Sequence, residues 1–516
     1  MVHIEINGRE IEVEEGTPVL KAAKMIGINV PALCYNEELG HFTSCMLCLV
    51  KDVSNGSLFP SCSVTVTEGM SVITDDEEIH EARRTGLDLL LSEHVGDCEG
   101  PCQIACPAHM DIPQMNRLIA SGKFDSALKL VKKDIALPAV LGRVCPAPCE
   151  GACHRKSVDT SVSICLLKRF VGDANDIHPF DPLPLNGKKI AVIGAGPAGL
   201  AAAYYLQLKG YQVVMYDKNI LPGGLLRSEI KPGILPHTIL DKEINSILLT
   251  GVVFKGSQEI DATAFQIIKN QYDATIVATG TLTDEMRNWG FKTNTKGIEA
   301  DQNNYSTSIN GVFAIGNSLR SSRLAVRSVG QGKEVAWSVA RYLSGEVPTG
   351  EPRLFNSRFG KLLREEITEY LKESILQERI QSENIQLNGY TSDEAILEAQ
   401  RCLHCDCREI ENCKLRELSG RYDANQRRFA LSDRKPMTKH FAHRIVYEPL
   451  KCIKCGICVR MTSKYQEKYG FSFIGRGFDV IIGVPFDESV EAGLADTSEI
   501  VAKACPTGAL SIKDKL

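Results

Sequence analysis

Cysteine is the residue type whose number and spacing suggest the most chemistry in this chain. The 516 residues include 19 cysteines, which fall into five local groups. The N-terminus lacks the basic and apolar regions of a signal peptide, so we expect a cytoplasmic, reducing location. In such a compartment, clustered thiols favour metal ligation over disulfides. The sequence therefore predicts several metal centres held by thiolates.

The first group has the spacing C-x10-C-x2-C-x13-C and follows two stretches in which apolar and polar residues alternate. That alternation predicts a β-hairpin with its turn at Asn7-Gly8. Four thiolates on the loops of a small α+β fold suit a [2Fe–2S] cluster, with a structural zinc site as the alternative. The ligands would be Cys34, Cys45, Cys48 and Cys62.

The last group combines C-x2-C-x2-C with a remote Cys-Pro pair. In two-cluster ferredoxins a further cysteine of such a run binds the second cluster, but Thr462 stands at that position here. One [4Fe–4S] cluster is therefore expected in this region. Its ligands would be Cys452, Cys455, Cys458 and Cys505.

The middle groups supply two further sets of four ligands. They comprise seven cysteines and one histidine, separated by a stretch that predicts two amphipathic helices: His94, Cys98, Cys102, Cys106, Cys145, Cys149, Cys153 and Cys165. We expect two [4Fe–4S] clusters here. A fourth [4Fe–4S] cluster, or alternatively a zinc knuckle, is expected at Cys402, Cys405, Cys407 and Cys413. With His94 counted, the ligands form five groups of four.

Residues 188–217 have the strand, glycine-rich turn, helix and strand pattern of a dinucleotide-binding unit. In its GxGxxG turn the first glycine permits the turn, the second admits a pyrophosphate and the third lets helix and strand pack closely. The helix N-terminus offers free N–H groups to phosphates, and an acidic residue after the second strand can accept from a ribose. The binding residues would be Gly194, Ala195, Gly196, Pro197, Ala198, Gly199, Asp217 and Lys218.

Three segments resemble known iron–sulfur proteins. The N-terminal segment resembles the ferredoxin-like domain of the complex I large iron–sulfur subunit and related hydrogenases. PCQIACPAHMDIP at 101–113 and GRVCPAPCEGAC at 142–153 resemble the double-cluster domain of the glutamate synthase small subunit and of dihydropyrimidine dehydrogenase.

This second resemblance implies interleaved ligands. One cluster would take His94, Cys98, Cys102 and Cys153, and the other would take Cys106, Cys145 and Cys149. The family's Gln or Glu ligand is replaced by Lys168, so Cys165, one turn earlier, would complete the second set.

Further motifs resemble the FAD-binding motifs of the same glutamate synthase-type flavoproteins. They are the GGLL loop, the ATG strand and a closing motif, with expected FAD contacts at Gly223, Gly224, Leu225, Gly280, Gly316 and Asn317. Asn317 stands where the family has Asp, and a helix beginning near Val329 would point at the flavin. The family's NADPH domain would lie at residues 282–308, which are too few to form it.

The expected architecture is a multidomain α/β and α+β chain. It would comprise a ferredoxin-like [2Fe–2S] β-grasp domain (1–75), an α-helical double-cluster domain (76–180), a Rossmann-type FAD domain (187–350), a helical linker with a four-cysteine loop (351–435) and a ferredoxin-like [4Fe–4S] domain (436–516).

The resemblances imply an electron-transfer subunit of a multi-subunit oxidoreductase. The partners would be a complex I-type NADH-oxidising flavoprotein, a hydrogenase, a formate dehydrogenase or ferredoxin. The alternatives are a stand-alone FAD-dependent enzyme acting on a small substrate and a zinc-bearing scaffold with an empty Rossmann unit. A net charge of −5 gives no reason to expect nucleic acid, and no apolar run is long enough to predict a membrane span.

Overall fold

The computed structural model describes residues 1–174, 180–381, 388–430 and 434–513. They divide into two compact units. The first unit comprises Met1–Glu99, Leu354–Lys372 and Cys405–Leu516, and the second comprises Gly100–Arg353 and Glu373–His404. The domain boundaries expected from the sequence remain a prediction. Within the described ranges, no helix combines the length and apolar character needed to cross a membrane.

The first unit begins with a five-stranded mixed sheet. In sheet order its strands are Arg9–Val13, Val2–Ile6, Ser71–Ile73, Leu49–Asp52 and Leu58–Pro60. Val2–Ile6 pairs antiparallel with Arg9–Val13, as predicted, and the turn residues Asn7 and Gly8 both have positive φ. Val2, Ile4 and Ile6 point into a core completed by the helix Val19–Met25, so the alternation of the sequence separates core from solvent.

The helix Glu77–Glu93 follows this sheet. Its N-cap Asp76 accepts a hydrogen bond from the N–H of Ile79. Arg83 is buried and donates to the carbonyls of Leu49 and Thr74 and to the Tyr422 hydroxyl, at 2.8 to 2.9 Å. This guanidinium therefore ties the N-terminal sheet to a later part of the same unit.

The rest of the first unit is built from short elements. A three-stranded sheet contains His440–Ala442, Ile445–Tyr447 and Leu510–Ile512, and Ser472–Ile474 pairs with Ile481–Gly483. The helices are Arg364–Leu371, Lys414–Arg421, Ile457–Lys464, Val490–Gly493 and Ser498–Ala504. One apolar cluster includes cysteines of both the N-terminal and the C-terminal groups.

The second unit contains a five-stranded parallel sheet. In sheet order its strands are Val312–Ala314, Ala274–Val277, Lys189–Ile193, Gln212–Tyr216 and Val253–Lys255. Its helices are Pro197–Leu208, Leu225–Ser228, His237–Leu248, Ala262–Gln271, Asp284–Arg287 and Ala325–Leu343. Pro197–Leu208 and Ala325–Leu343 approach closely at Gly332, where a Cβ would lie 2.6 Å from the Ala201 methyl. The last helix begins at Ala325, one turn before the start predicted near Val329, because Leu324 already occupies the N-cap position.

A helical part precedes this sheet in the second unit. Its helices are Pro101–Ala105, Ile112–Ala120, Phe124–Asp134, Pro138–Val144, Pro148–Gly151 and Ile164–Ala174, and Ser392–Ala399 is added from later in the chain. Pro138–Val144 and Ile164–Ala174 touch at two glycines. A Cβ on Gly142 would lie 2.5 Å from Arg169, and one on Gly172 would lie 2.5 Å from Ala139. This close approach brings the cysteines at the ends of these helices together.

Candidate cofactor sites

The N-terminal cysteines form two thiol pairs in the first unit. Cys34, Cys45, Cys48 and Cys62 are all buried. A hydrogen bond between Cys34 and Cys45 lowers the pKa of Cys34 and raises that of Cys45. A hydrogen bond between Cys48 and Cys62 likewise lowers the pKa of Cys62 and raises that of Cys48. The N–H groups of Ser44 and Leu33 point at the sulfurs of Cys34 and Cys45 at 3.5 and 3.4 Å. These donors stabilise thiolates, which is the form that binds iron.

The C-terminal cysteines line one enclosed cavity in the same unit. Cys452, Cys455, Cys458 and Cys505 share it with Tyr447, Ile453, Ile457 and Leu510. Burial raises the pKa of Cys452 to about 12, while the N–H of Lys454 points at its sulfur at 3.3 Å. A pocket with four thiols and apolar walls fits a [4Fe–4S] cluster. Thr462, which replaces a second-cluster ligand, accepts from the N–H of Phe471 at 3.0 Å and so has a structural contact instead.

Arg460 joins these two cysteine groups. Its guanidinium donates to the carbonyls of Cys34 and His41 at 3.0 and 3.1 Å, and also to those of Leu39 and Gly40. The ring of Phe42 lies against Gly456, beside Cys455. Cys34 is close enough to Cys455 for its charge to raise the pKa of that thiol, alongside the larger effect of burial. The two groups are therefore neighbours.

We expect Arg460→Ala to lower the free energy of unfolding of the first unit by about 2 kcal/mol, because several carbonyls lose a charged donor. Lys464→Ala is the matched control on the same helix. It breaks an exposed ion pair with Glu38 and a contact of the ammonium with the Tyr465 ring, and it should change stability far less than Arg460→Ala. Urea denaturation monitored by circular dichroism measures both variants. Equal losses in the two would contradict the role given to Arg460.

A third collection of candidate ligands in the first unit comprises His94, Cys98, Cys407 and Cys413. The N–H of Cys407 donates to the carbonyl of Cys98 at 3.0 Å. Burial, together with the charges of Cys407 and Cys98, raises the pKa of Cys413 to about 12. This differs from the grouping implied by resemblance, which joined Cys98 to Cys102 and Cys153, and from the consecutive grouping of Cys402 to Cys413.

In the second unit, Cys106, Cys145, Cys149 and Cys165 surround Lys168. Hydrogen bonds link Cys165 to the thiols of Cys145 and Cys149. Burial would lower the pKa of Lys168, but the charges of the four cysteines raise it above its ordinary value. Its ammonium lies 3.8 Å from the Cys165 sulfur. The structure thus brings together the set expected from sequence and adds a buried cation beside it.

The remaining candidate ligands divide between the units. Cys102, Cys153 and Cys402 lie in the second unit, and Cys405 lies in the first. Arg155 is fully buried and donates to the carbonyl of Arg401 at 3.0 Å, which ties the loop after Cys153 to the residue before Cys402. Over the described ranges, no three His, Cys, Asp or Glu side chains converge closely enough to hold a single metal ion.

The glycine-rich turn in the second unit has the geometry of a nucleotide cradle. Gly194 has φ of 108°, and a Cβ there would lie 2.3 Å from the Ala278 carbonyl oxygen. A Cβ on Gly199 would lie 1.9 Å from the Gly194 oxygen, so only glycine allows this packing. A Cβ on Gly196 would meet nothing within 4 Å, so its open face is available to a ligand. Gly196 is the N-cap of Pro197–Leu208 without a side-chain cap, which leaves the first N–H groups of the helix for phosphate.

The other predicted contact residues surround this turn. One carboxylate oxygen of Asp217 accepts from the Ala195 N–H at 2.7 Å, and the other accepts from the backbone and side-chain N–H groups of Asn219 at 2.8 Å. These bonds fix the carboxylate and leave one lone pair, on the first oxygen, for a ribose hydroxyl. Gly223 donates to the Ala195 carbonyl at 2.8 Å, and a Cβ on Gly224 would lie 2.9 Å from the Gly196 Cα. Lys218 is exposed, Leu225 begins a short helix and Gly280 has positive φ after the strand Ala274–Val277.

The predicted closing motif lies against the same turn. A Cβ on Gly316 would lie 3.0 Å from the Ala198 methyl, and the Gly316 N–H donates to Gln331 at 2.8 Å. The Asn317 side-chain oxygen accepts from the Ser322 N–H at 3.0 Å, so it orders the loop that follows. Trp289 and Phe291, from residues 282–308, pack on Phe265 in a small apolar core beside the sheet.

Three residues that matter to these sites were not predicted from sequence. Arg460 and Lys451 belong to the C-terminal cysteine segment, where a basic residue near the candidate ligands was the only sequence signal. The carbonyl oxygen of Lys451 accepts from Nδ1 of His94 at 3.0 Å. Lys168 was excluded as an iron ligand, but its burial among four thiols depends on tertiary packing. Neither Arg460 nor Lys451 lies at a spacing that a local motif would identify.

Comparisons with known proteins match three parts of the chain. Family models described as a 2Fe-2S iron–sulfur cluster binding domain, dihydropyrimidine dehydrogenase domain II with a 4Fe-4S cluster, and an NAD(P)-binding Rossmann-like domain match residues 1–77, 66–178 and 192–248. The chain therefore contains iron–sulfur domains of both kinds together with a Rossmann unit. The predicted multidomain class is confirmed.

Curated relatives agree with these matches. NADPH-Fe(3+) oxidoreductase subunit beta of Geobacter sulfurreducens is 32% identical over 335 residues, covering 62% of this chain and 47% of that subunit. NADP(+)-dependent formate dehydrogenase subunit beta of Moorella thermoacetica is 37% identical, covering 35% of this chain and 29% of the relative. The glutamate synthase [NADPH] small chain of Bacillus subtilis is also 37% identical, with coverage of 36% and 40%.

The chain spans less than half the length of each of these relatives. The resemblance to glutamate synthase small chains and dihydropyrimidine dehydrogenase is confirmed over the middle of the chain. These homologues are named as oxidoreductases or as subunits of oxidoreductases.

Proposed function

We propose that this chain is an iron–sulfur flavoprotein that transfers electrons within a multi-subunit oxidoreductase. The observation that carries the proposal is the adjacency of cysteine groups in the first unit: Cys34 neighbours Cys455, and Cys413 neighbours Cys505. When bound, iron–sulfur clusters would carry one electron at a time, and a flavin would exchange either one electron or two.

The chain's own residues would hold these groups in defined ways. Thiolates from loops would bind the clusters, and N–H donors such as that of Lys454 stabilise those thiolates. FAD is proposed for the Rossmann unit because Gly316, from the closing motif, lies against Ala198 at the start of the dinucleotide helix. Residues 282–308 add to the core beside the sheet, and we propose that no second nucleotide domain is present there.

The proposed partners are other redox subunits. A complex I-type flavoprotein, a hydrogenase, a formate dehydrogenase or ferredoxin would supply or remove electrons, as expected from the resemblances. Two relatives are named as oxidoreductase subunits, one of them of a formate dehydrogenase, which supports a partner of this general kind. The proposed setting is the cytoplasm, where thiols remain reduced.

Anaerobic purification followed by iron, sulfide and flavin analysis tests the proposal. We expect about 18 irons and one FAD per chain, from one [2Fe–2S] and four [4Fe–4S] clusters. A colourless, zinc-loaded protein would favour the scaffold alternative. Rapid reduction of the isolated chain by NADPH would contradict the assignment of the Rossmann unit to FAD.

A further inference from the structure

Cys98 and Cys407 are more than 300 positions apart in the sequence but adjacent in the first unit. Besides the backbone hydrogen bond between them, Arg416 connects their surroundings. The guanidinium of Arg416 donates to the Glu99 carboxylate at 2.6 Å and to the Phe355 carbonyl at 2.7 Å. The backbone N–H of Arg416 points at the Cys413 sulfur at 3.5 Å. The segment around Cys98 is thus fixed to the helix that follows Cys413.

The loop Pro506–Gly508 holds the sulfurs of Cys407 and Cys413. A Cβ on Gly508 would lie 2.2 Å from the Cys407 sulfur, so this thiol rests directly on the glycine. The Cys413 thiol points at the carbonyl oxygen of Pro506 at 3.9 Å. Both side chains therefore lie against three consecutive residues.

His94 approaches the same loop through Lys451. The carbonyl oxygen of Lys451 accepts from the Thr507 hydroxyl at 3.1 Å and from Nδ1 of His94 at 3.0 Å. A carbonyl only accepts hydrogen bonds, so Nδ1 carries the proton and Nε2 keeps its lone pair. Metal-ligating histidines ordinarily donate one ring N–H to a carbonyl or carboxylate and bind metal through the other nitrogen. His94 has that arrangement and is 7% exposed.

We propose that His94, Cys98, Cys407 and Cys413 bind one [4Fe–4S] cluster within the first unit. This inference rests on the proposed iron–sulfur function and replaces both groupings expected from the sequence. Cys402, which lies in the second unit, is not a ligand of this cluster. The site lies beside the C-terminal cysteine group, because the Cys413 thiol contacts the carbonyl oxygen of Pro506, the residue that follows Cys505.

Iron counting in the full-length protein tests the grouping. Cys98→Ser and Cys407→Ser should each lose about four irons, and the double variant should lose no more than either single variant. Cys165→Ser combined with Cys407→Ser should lose about eight, because Cys165 belongs to the separate cysteine set of the second unit. Additive loss for the Cys98 and Cys407 pair, or non-additive loss for the Cys165 and Cys407 pair, would overturn the proposal.

Gly508→Ala tests the site without removing a ligand. The new methyl group would press on the Cys407 sulfur, so we expect one four-iron electron paramagnetic resonance signal to change while the circular dichroism spectrum is unchanged. Gly420→Ala is the control, because a Cβ there makes only ordinary contacts with Phe355. An unchanged set of signals in Gly508→Ala would contradict the placement of Cys407.

His94 has its own spectroscopic signature. Pulsed electron paramagnetic resonance of the reduced protein should show coupling of one four-iron centre to a histidine nitrogen, and His94→Cys should abolish this coupling while retaining the iron. Persistence of the coupling in His94→Cys would remove His94 from the site. Wild-type protein without iron would instead refute the proposed function, so the two failures are distinguishable.

Discussion

Gly196→Ala is expected to weaken FAD binding by about 100-fold without destabilising the second unit. A Cβ at this position meets no other atom of the chain within 4 Å, so the fold tolerates it. The same methyl group would stand where a pyrophosphate must approach the backbone. The measurements are FAD retained per chain, the dissociation constant from flavin fluorescence, and thermal unfolding.

Two other glycines of the second unit provide controls for this expectation. Gly233→Ala also places its Cβ in open space, away from the turn, and should leave both affinity and stability unchanged. Gly199→Ala should lower stability by about 2 to 3 kcal/mol, because its Cβ would overlap the Gly194 oxygen at 1.9 Å. Wild-type FAD affinity in Gly196→Ala would show that no pyrophosphate lies on this turn.

Lys168→Met is expected to lower the reduction potential of the cluster proposed at Cys106, Cys145, Cys149 and Cys165 by about 100 mV. The buried ammonium lies 3.8 Å from the Cys165 sulfur, and a cation stabilises a centre that gains an electron. Removing the charge while keeping most of the side-chain volume therefore disfavours the reduced state. A redox titration followed by electron paramagnetic resonance measures the potential.

Lys132→Met is the matched control for this charge effect. Lys132 is also a buried lysine of the second unit, but its ammonium donates to Ser246 at 2.8 Å and lies over the Tyr204 ring. Cluster potentials should be unchanged in Lys132→Met. Equal shifts in both variants would point to a general change in packing and would contradict a local role for Lys168.

Elements with a regular residue pattern could be predicted from the sequence. The alternation in Val2–Ile6 gave the N-terminal hairpin, and the apolar run before Gly194 gave the first parallel strand. These predictions succeeded because the period of buried residues and the special backbone of glycine are local properties. Helix ends were less accurate: the helix predicted near Val329 begins at Ala325, because the N–H groups of Arg327 and Ser328 already donate to the Leu324 carbonyl.

The membership of the metal sites was harder to predict than the candidate ligands themselves. Local spacing singled out the cysteines, and it also placed Cys452, Cys455 and Cys458 together. Spacing carried no information about Cys98 and Cys407, which come together only through contacts such as that of Arg416 with Glu99. The burial of Lys168 likewise depends on how two helices pack at Gly142 and Gly172.

The discontinuity of the first unit has a consequence for biosynthesis. His94 and Cys98 leave the ribosome long before Cys407 and Cys413 are made; at about 5 to 20 residues per second the delay is on the order of 15 to 60 s. The whole of the second unit is translated during that interval and is available to fold first. Iron insertion at the site proposed for His94, Cys98, Cys407 and Cys413 must therefore wait until the late cysteines have been translated. Until then, nascent chains carry reduced, oxidation-sensitive thiols.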